Sequence, residues 1–250
     1  MKIAIVLRGQ PRNFRIGFEN LKREIINRYD TDVFAHCWWD ANIVGQNYDT
    51  APHAPNHYIV EKDTDKKLDR LYNFKLAIFE HPKQFIPEKR YNIEREHDKV
   101  FNALKSNYYS QKQVLTLLET YENEHNFEYD CVINTRYDIG IFRPFPDLTT
   151  LDRNKIYVSN YHRGRRFIFN DNLWLFGKHK YVFKSLYDDF DKDYEMMLNI
   201  PESYSNIIAN SEIAYKKTIS GEQHIAMHLL FNDLLLNVVT TDLLDYNLIR

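Results

Sequence analysis

Four short stretches hold side chains whose types and spacing suit chemistry. In Leu7-Arg8-Gly9-Gln10-Pro11-Arg12-Asn13, two arginines follow an apolar run, and their forked guanidinium groups can hold phosphate oxygens bidentately. The competing reading is a proline-containing loop whose arginines face water or pair with acidic neighbours. In Asn134-Thr135-Arg136-Tyr137-Asp138, Asp138 follows a second apolar run, where a carboxylate can bind a divalent cation that bridges a diphosphate. An exposed loop carboxylate, or one paired with Arg136, explains the same residues. In Asp171-Asn172-Leu173-Trp174-Leu175-Phe176-Gly177, the polar pair can contact sugar hydroxyls and Trp174 can stack on a sugar face, unless its indole is simply core. In Ser220-Gly221-Glu222-Gln223, Glu222 can serve as a general base, or it can sit in a helix's first turn because the macrodipole favours it there. His224 and His228 follow at the four-residue spacing that a zinc site uses, but HExxH is absent and no third ligand is evident, so packed helix histidines are the simpler reading.

These residues need elements to position them. The run Ile3-Ala4-Ile5-Val6-Leu7 reads as a buried strand, residues 15–29 as an amphipathic helix, and Asp32-Val33-Phe34-Ala35-His36-Cys37-Trp38 as a second buried strand. Strand, helix and strand at this spacing make a βαβ unit with a parallel sheet. Residues 40–70 are polar, and read as a long loop, a candidate lid or interface, followed by a short exposed helix. Further strands are expected at 76–80, 130–136, 156–158, 173–177 and 234–239. Helices are expected at 100–124, 178–190 and 221–231, with 191–220 irregular. The basic run His162-Arg163-Gly164-Arg165-Arg166 reads as a solvated turn that could meet an anionic substrate, and Asn107-Tyr108-Tyr109-Ser110-Gln111 as a helix face used for packing. The fold class is therefore α/β, a single Rossmann-like domain over residues 1–250 with a mostly parallel central sheet flanked by helices.

Composition narrows the function. The chain has 250 residues, 44% of them apolar and 15% aromatic, enough for one sizeable core. Lys plus Arg number 33 against 35 Asp plus Glu, and a net charge of −2 gives no overall attraction to nucleic acid. Cys37 and Cys131 lie in strand-like runs far from any CxxC spacing, which suggests neither a disulfide framework nor a structural zinc site and fits a cytoplasmic location. The opening apolar run is shorter than a signal-peptide core, no run of about 18 apolar residues suggests a transmembrane span, and no Asn-x-Ser/Thr sequon occurs. GxGxxG and GxxxxGK[ST] are both absent, which removes the main support for dehydrogenase and P-loop readings.

In their order along the chain, these pieces resemble the GT-A-type glycosyltransferases, including WavE-like lipopolysaccharide-synthesis proteins and glycosyltransferase-like proteins of large viruses. The resemblance rests on Lys2-Ile3-Ala4-Ile5-Val6-Leu7-Arg8-Gly9-Gln10-Pro11-Arg12, Asp32-Val33-Phe34-Ala35-His36, Tyr129 to Asp138, and Asp171 to Gly177. It implies a nucleotide-binding half over residues 1–138 and an acceptor-binding half over 139–250. Arg8, Gly9, Gln10, Arg12, Gln113, Arg136 and Asp138 would then meet a nucleotide-diphosphate sugar donor. Arg136-Tyr137-Asp138 would occupy the place of the family's DxD motif, leaving Asp138 as the one carboxylate to hold Mn²⁺ or Mg²⁺, with Arg136 able to offset diphosphate charge itself. Glu222 would match the acidic residue that deprotonates the acceptor in inverting members, with Asp171 as a second candidate base. The implied reaction is transfer of a hexose to a hydroxyl of a glycan or glycoconjugate. Two other classes use similar parts: a sugar nucleotidyltransferase, which usually carries a glycine-rich loop with a lysine after its first strand, and a non-catalytic glycan- or protein-binding module, which would not bind UDP or GDP.

Overall fold

The computed structural model describes residues 1–47, 58–93, 97–159, 173–210, 220–241, 244 and 246–249. Strand β1 (Lys2–Gly9) leads to helix α1 (Phe14–Leu21), which continues as a π-helical turn (Lys22–Ile26) before β2 (Asp30–Trp38). Then follow α2 (Thr64–Tyr72), β3 (Leu76–Glu80) and the long α3 (His97–His125). Strands β4 (Cys131–Arg136), β5 (Ile139–Ile141), β6 (Ile156–Ser159) and β7 (Leu173–Phe176) come next. Helices α4 (Phe190–Leu198), α5 (Glu202–Asn210) and α6 (Gly221–Phe231) precede β8 (Val238–Thr241) and β9 (Tyr246–Leu248).

Seven strands form one sheet in the order β3-β2-β1-β4-β7-β6-β8, and β5 pairs with β9 apart from it. Pairings are parallel except those of β7, which runs against both β4 and β6. The expected α/β architecture with a mostly parallel sheet is thus observed. Its central strands are buried on both faces, which is why β1 reads as a continuous apolar run: Ala4 and Val6 join one core cluster, while Ile3, Ile5 and Leu7 join the other. Helix α3 supplies Leu104, Tyr108, Val114, Leu115 and Leu118 to the first face, and α1 supplies Phe14, Phe18 and Leu21 to the second.

The order of strands places a switch between β1 and β4. From β1 the chain steps outward to β2 and β3, then α3 carries it back to β4 on the other side of β1. Connections leaving β1 and β4 go to opposite sides of the sheet, and the edge beyond the carboxyl ends of these two strands is where open α/β sheets usually form a ligand crevice. Gly17 sets how closely α1 meets the turn after β4. A Cβ there would lie 1.8 Å from the Tyr137 carbonyl oxygen, so only glycine lets α1 close against the turn that holds Tyr137 and Asp138.

Several expected elements differ. The single helix at 15–29 is an α-helix that widens into a π turn at Lys22. The helix expected at 178–190 is a 3-10 turn (Lys180–Lys184) followed by irregular turns, because Phe183, Leu186 and Phe190 share a helix-like spacing yet are all buried without continuous helix. The true helices lie in the stretch read as irregular. Helix α4 begins at Phe190 with Asp191 and Asp193 in its first turn, and α5 follows Pro201. The last strand expected at 234–239 starts later, at Val238, after a 3-10 turn (Leu235–Asn237) that leaves Leu236 exposed. The three-residue strands β5 and β9 were too short to give a periodic signal. Among the described residues, no helix is long and apolar enough to cross a membrane.

Candidate active site

Parallel register lines up three side chains across the carboxyl edge. Arg8 of β1 stands opposite His36 of β2 on one side and Arg136 of β4 on the other. Because side chains alternate along a strand, all three lie on the face covered by α3.

Arg8 is buried at the end of β1, and its Nε donates to Asn134 Oδ1 at 3.1 Å. Its Nη1 donates to Asn107 Oδ1 of α3. The Asn134 amide is oriented by this contact, since guanidinium needs an oxygen acceptor, and its Nδ2 has no hydrogen-bond partner among the described residues. Next along β1, Gly9 takes φ of 95°, a left-handed conformation that favours glycine, and its N–H donates to Ser110 Oγ at 2.9 Å.

Ser110 continues inward. Its Oγ lies 2.7 Å from His36 Nδ1, and His36 Nε2 lies 2.7 Å from Glu80 Oε1 at the end of β3. A carboxylate can only accept, so Nε2 carries the proton and Nδ1 accepts from the serine hydroxyl. Burial pushes the His36 pKa below its ordinary value, against the upward pull of Glu80, which agrees with a neutral imidazole. Lys83 reaches Glu80 at 2.7 Å and the Tyr109 hydroxyl, while Tyr109 stacks on Trp38 with centroids 5.4 Å apart. Helix α3 thus fixes the exit of β1 through Asn107 and Ser110, three residues apart on one helix face.

On the other side of β1, Arg136 Nε and Nη2 each donate to one oxygen of Asp138 at 2.8 Å. Asp138 is almost fully buried with 1% of its side chain exposed, whereas Arg136 keeps 25%. The Asp138 carbonyl accepts from Ile249 N–H, so the chain's last described strand braces the turn. The Mn²⁺ or Mg²⁺ expected at Asp138 meets a donor set that does not fit it, because Asp138 has both carboxylate oxygens on an arginine. Among the described residues no group of three or more His, Cys, Asp or Glu side chains is arranged to hold a metal ion.

The other expected site residues divide. Gln10 and Arg12 are half-buried beside Gly9, and Gln10 Oε1 is a buried acceptor with no hydrogen-bond partner among the described residues. Gln113 is half-buried on α3, one turn beyond Ser110. Glu222 is exposed in the first turn of α6, where Ser220 performs the capping by accepting from Gln223 N–H at 3.2 Å. Tyr108, the neighbour of Asn107, donates to the Gly221 carbonyl at 3.4 Å, so α3 links the start of α6 to Arg8. Asp171, Asn172, the run Arg163 to Arg166 and part of the expected lid, residues 48–57, lie outside the described residues.

Trp174 is core, packed on Phe176 and Phe183. His224 and His228 are fully buried on Asp193 Oδ2, at 3.1 and 2.6 Å, and His228 Nε2 donates to the Val182 carbonyl. They hold α6 against α4. The sequence reading missed His36, Glu80, Asn107 and Ser110 as site residues. The available signal was polarity in the wrong place: a histidine inside an apolar strand, and Asn107 and Ser110 on the buried side of α3.

Comparison with solved structures returns glycosyltransferases. One is a glycosyltransferase involved in the glycosylation of the major capsid of PBCV-1 (8% identity, 97% of this chain and 82% of that chain, TM-score 0.38). Another is the galactosyltransferase LgtC, solved with donor and acceptor sugar analogues (13% identity, 96% of this chain and 73% of that chain, TM-score 0.39). A third is apo GlyE of Streptococcus pneumoniae TIGR4 (10% identity, TM-score 0.38), where 95% of this chain spans 44% of that one. No family model and no curated protein matches the chain.

Proposed function

We propose that the crevice between β1 and β4 is a nucleotide-sugar site, and that the protein transfers a hexose from a nucleotide-diphosphate donor to a hydroxyl of a glycan or glycoconjugate. The observation that carries this reading is the placement of Arg8 and Arg136 side by side at the strand-order switch, with the Arg136 guanidinium partly exposed and Arg8 buried beside it, a cationic edge suited to an anionic ligand. Gly9, Gln10 and Arg12 follow Arg8 along the same rim, and residues 139–250 supply the acceptor side.

In the reaction, the bond between the sugar's anomeric carbon and the diphosphate oxygen breaks, and the acceptor oxygen bonds to that carbon. Negative charge grows on the departing diphosphate and is met by Arg8 and Arg136, which are already held in place by Asn134, Asn107 and Asp138. The acceptor's proton goes to a carboxylate, for which Glu222 at the exposed start of α6 is the described candidate and Asp171 the other.

The test is a thermal-shift panel of UDP, GDP, CDP, ADP and CMP, followed by donor hydrolysis and transfer assays with the nucleotide sugars of the base that binds. A native-state ligand raises apparent stability by mass action. A shift with one diphosphate and not with CMP supports the reading. No shift with any nucleotide would move the weight to a glycan- or protein-binding module.

A further inference from the structure

We propose that Asp138 is the positioning residue of Arg136 and not the ligand of a cation, so that the crevice binds a diphosphate through Arg8 and Arg136 without a divalent ion. This rests on the reading of the crevice as a nucleotide-sugar site. Three observations carry it. Both Asp138 oxygens are used by Arg136, in the planar fork that gives arginine–carboxylate pairs their geometric strength. The carboxylate is buried while the guanidinium keeps its exposure, so the cation and not the anion faces the opening. Register puts Arg8 beside Arg136 on the same face, and the orphaned Asn134 Nδ2 donor adjoins Arg8.

Charge bookkeeping agrees. A divalent cation held by two carboxylates is a neutral set that presents its cation to a ligand, and Arg136 held by Asp138 is the same arrangement in one pair. An arginine held in this way already does what the cation would do for a departing diphosphate, with no ion to recruit. Asp138 acts through Arg136: it fixes the plane and reach of the guanidinium, and its loss leaves that group to rotate away from the ligand.

The experiment is calorimetric titration of the whole protein with inorganic pyrophosphate, UDP, GDP, CDP and ADP, each in EDTA and in Mg²⁺ or Mn²⁺, on the wild type, Asp138→Asn, Arg136→Lys and Arg136→Gln. At least one nucleoside diphosphate is expected to bind in EDTA within about threefold of its affinity with metal. Asp138→Asn is expected to weaken that binding about tenfold or more, equally with and without metal, the effect of losing a charge-assisted contact. A cation ligand's loss would instead weaken only the metal arm. Should Asp138→Asn not fold, the Arg136 variants decide, with Lys keeping the charge but losing the fork and Gln losing both. Binding seen only with metal, or an Asp138→Asn effect confined to the metal arm, would overturn this inference and leave the nucleotide-sugar reading standing. Pyrophosphate bound in EDTA with no nucleotide bound would support the arginine cradle and overturn the nucleotide-sugar reading, and no binding in any arm would overturn both.

Discussion

Arg8 and Arg136 stand opposite each other on neighbouring parallel strands, on the one face that α3 covers, at the carboxyl edge of the sheet. Like charges directly across a strand pair destabilise it, and here the cost is offset by the Asp138 carboxylate on Arg136 and by the Asn134 and Asn107 oxygens on buried Arg8. Arg8→Lys keeps the charge but cannot reach Asn134 and Asn107 with a fork. We expect it to weaken diphosphate binding about tenfold and to shrink the ligand-induced rise in Tm, measured by titration and thermal melts. Unchanged affinity would place the anion elsewhere.

The relay from Gly9 N–H through Ser110 to His36 and Glu80 needs a neutral imidazole. Burial holds the His36 pKa below the ordinary value of 6.5, so the unfolded chain takes up the proton first as pH falls. Stability contributed by the neutral form is therefore complete above about pH 6.5 and is lost as pH drops toward the folded pKa, with a slope of at most about 1.4 kcal/mol per pH unit per histidine. His224 is pushed down in the same way by burial, against the opposing pull of Asp193, and contributes to the same window. Urea unfolding from pH 7.5 to 5 should show the fall, and His36→Gln should flatten it by one histidine's share. An equal slope in the variant would remove His36 from the account.

Much of this arrangement was legible in the sequence because burial on both faces leaves a strong trace. The runs before Arg8, His36 and Arg136 read directly as parallel strands, and Ser220 marked the start of α6. The ends of those strands gave Arg8, Arg136 and Asp138 as candidates. What was hidden is long-range pairing. Nothing local shows that Asn107 and Ser110 meet residues 99 and 101 positions away, whereas the pairing of Asp138 with Arg136, two residues apart, was already one of the readings the sequence offered. The tail from 178 to 210 misled because buried aromatic residues at helical spacing were packed by turns.

Gly17 carries a prediction about how α1 meets the turn after β4. A methyl group there would overlap the Tyr137 carbonyl, which belongs to the backbone and cannot swing aside. Gly17→Ala should gain a little helix propensity yet lose stability overall, by about 2 kcal/mol or more from overpacking. It should also weaken diphosphate binding, since the displaced turn holds Asp138 and through it Arg136. Chemical denaturation and titration of the same preparation check both effects. A stabilised variant would show that α1 and the turn are not in contact.

Glu222 separates chemistry from helix stability. It is exposed in the first turn of α6, Ser220 already caps that turn, and it has no hydrogen bond or ion pair among the described residues. Its interaction with the helix dipole is worth about 0.3–1 kcal/mol, so Glu222→Gln should leave Tm nearly unchanged. Diphosphate binding should also be unchanged, because the arginines hold that ligand. Transfer to an acceptor should fall about 10²- to 10⁴-fold, the usual range for a lost general base, and donor hydrolysis should fall less if water can lose its proton to solvent. Full transfer activity in Glu222→Gln would exclude it as the base, and Asp171→Asn is then the variant whose transfer rate decides between the two carboxylates.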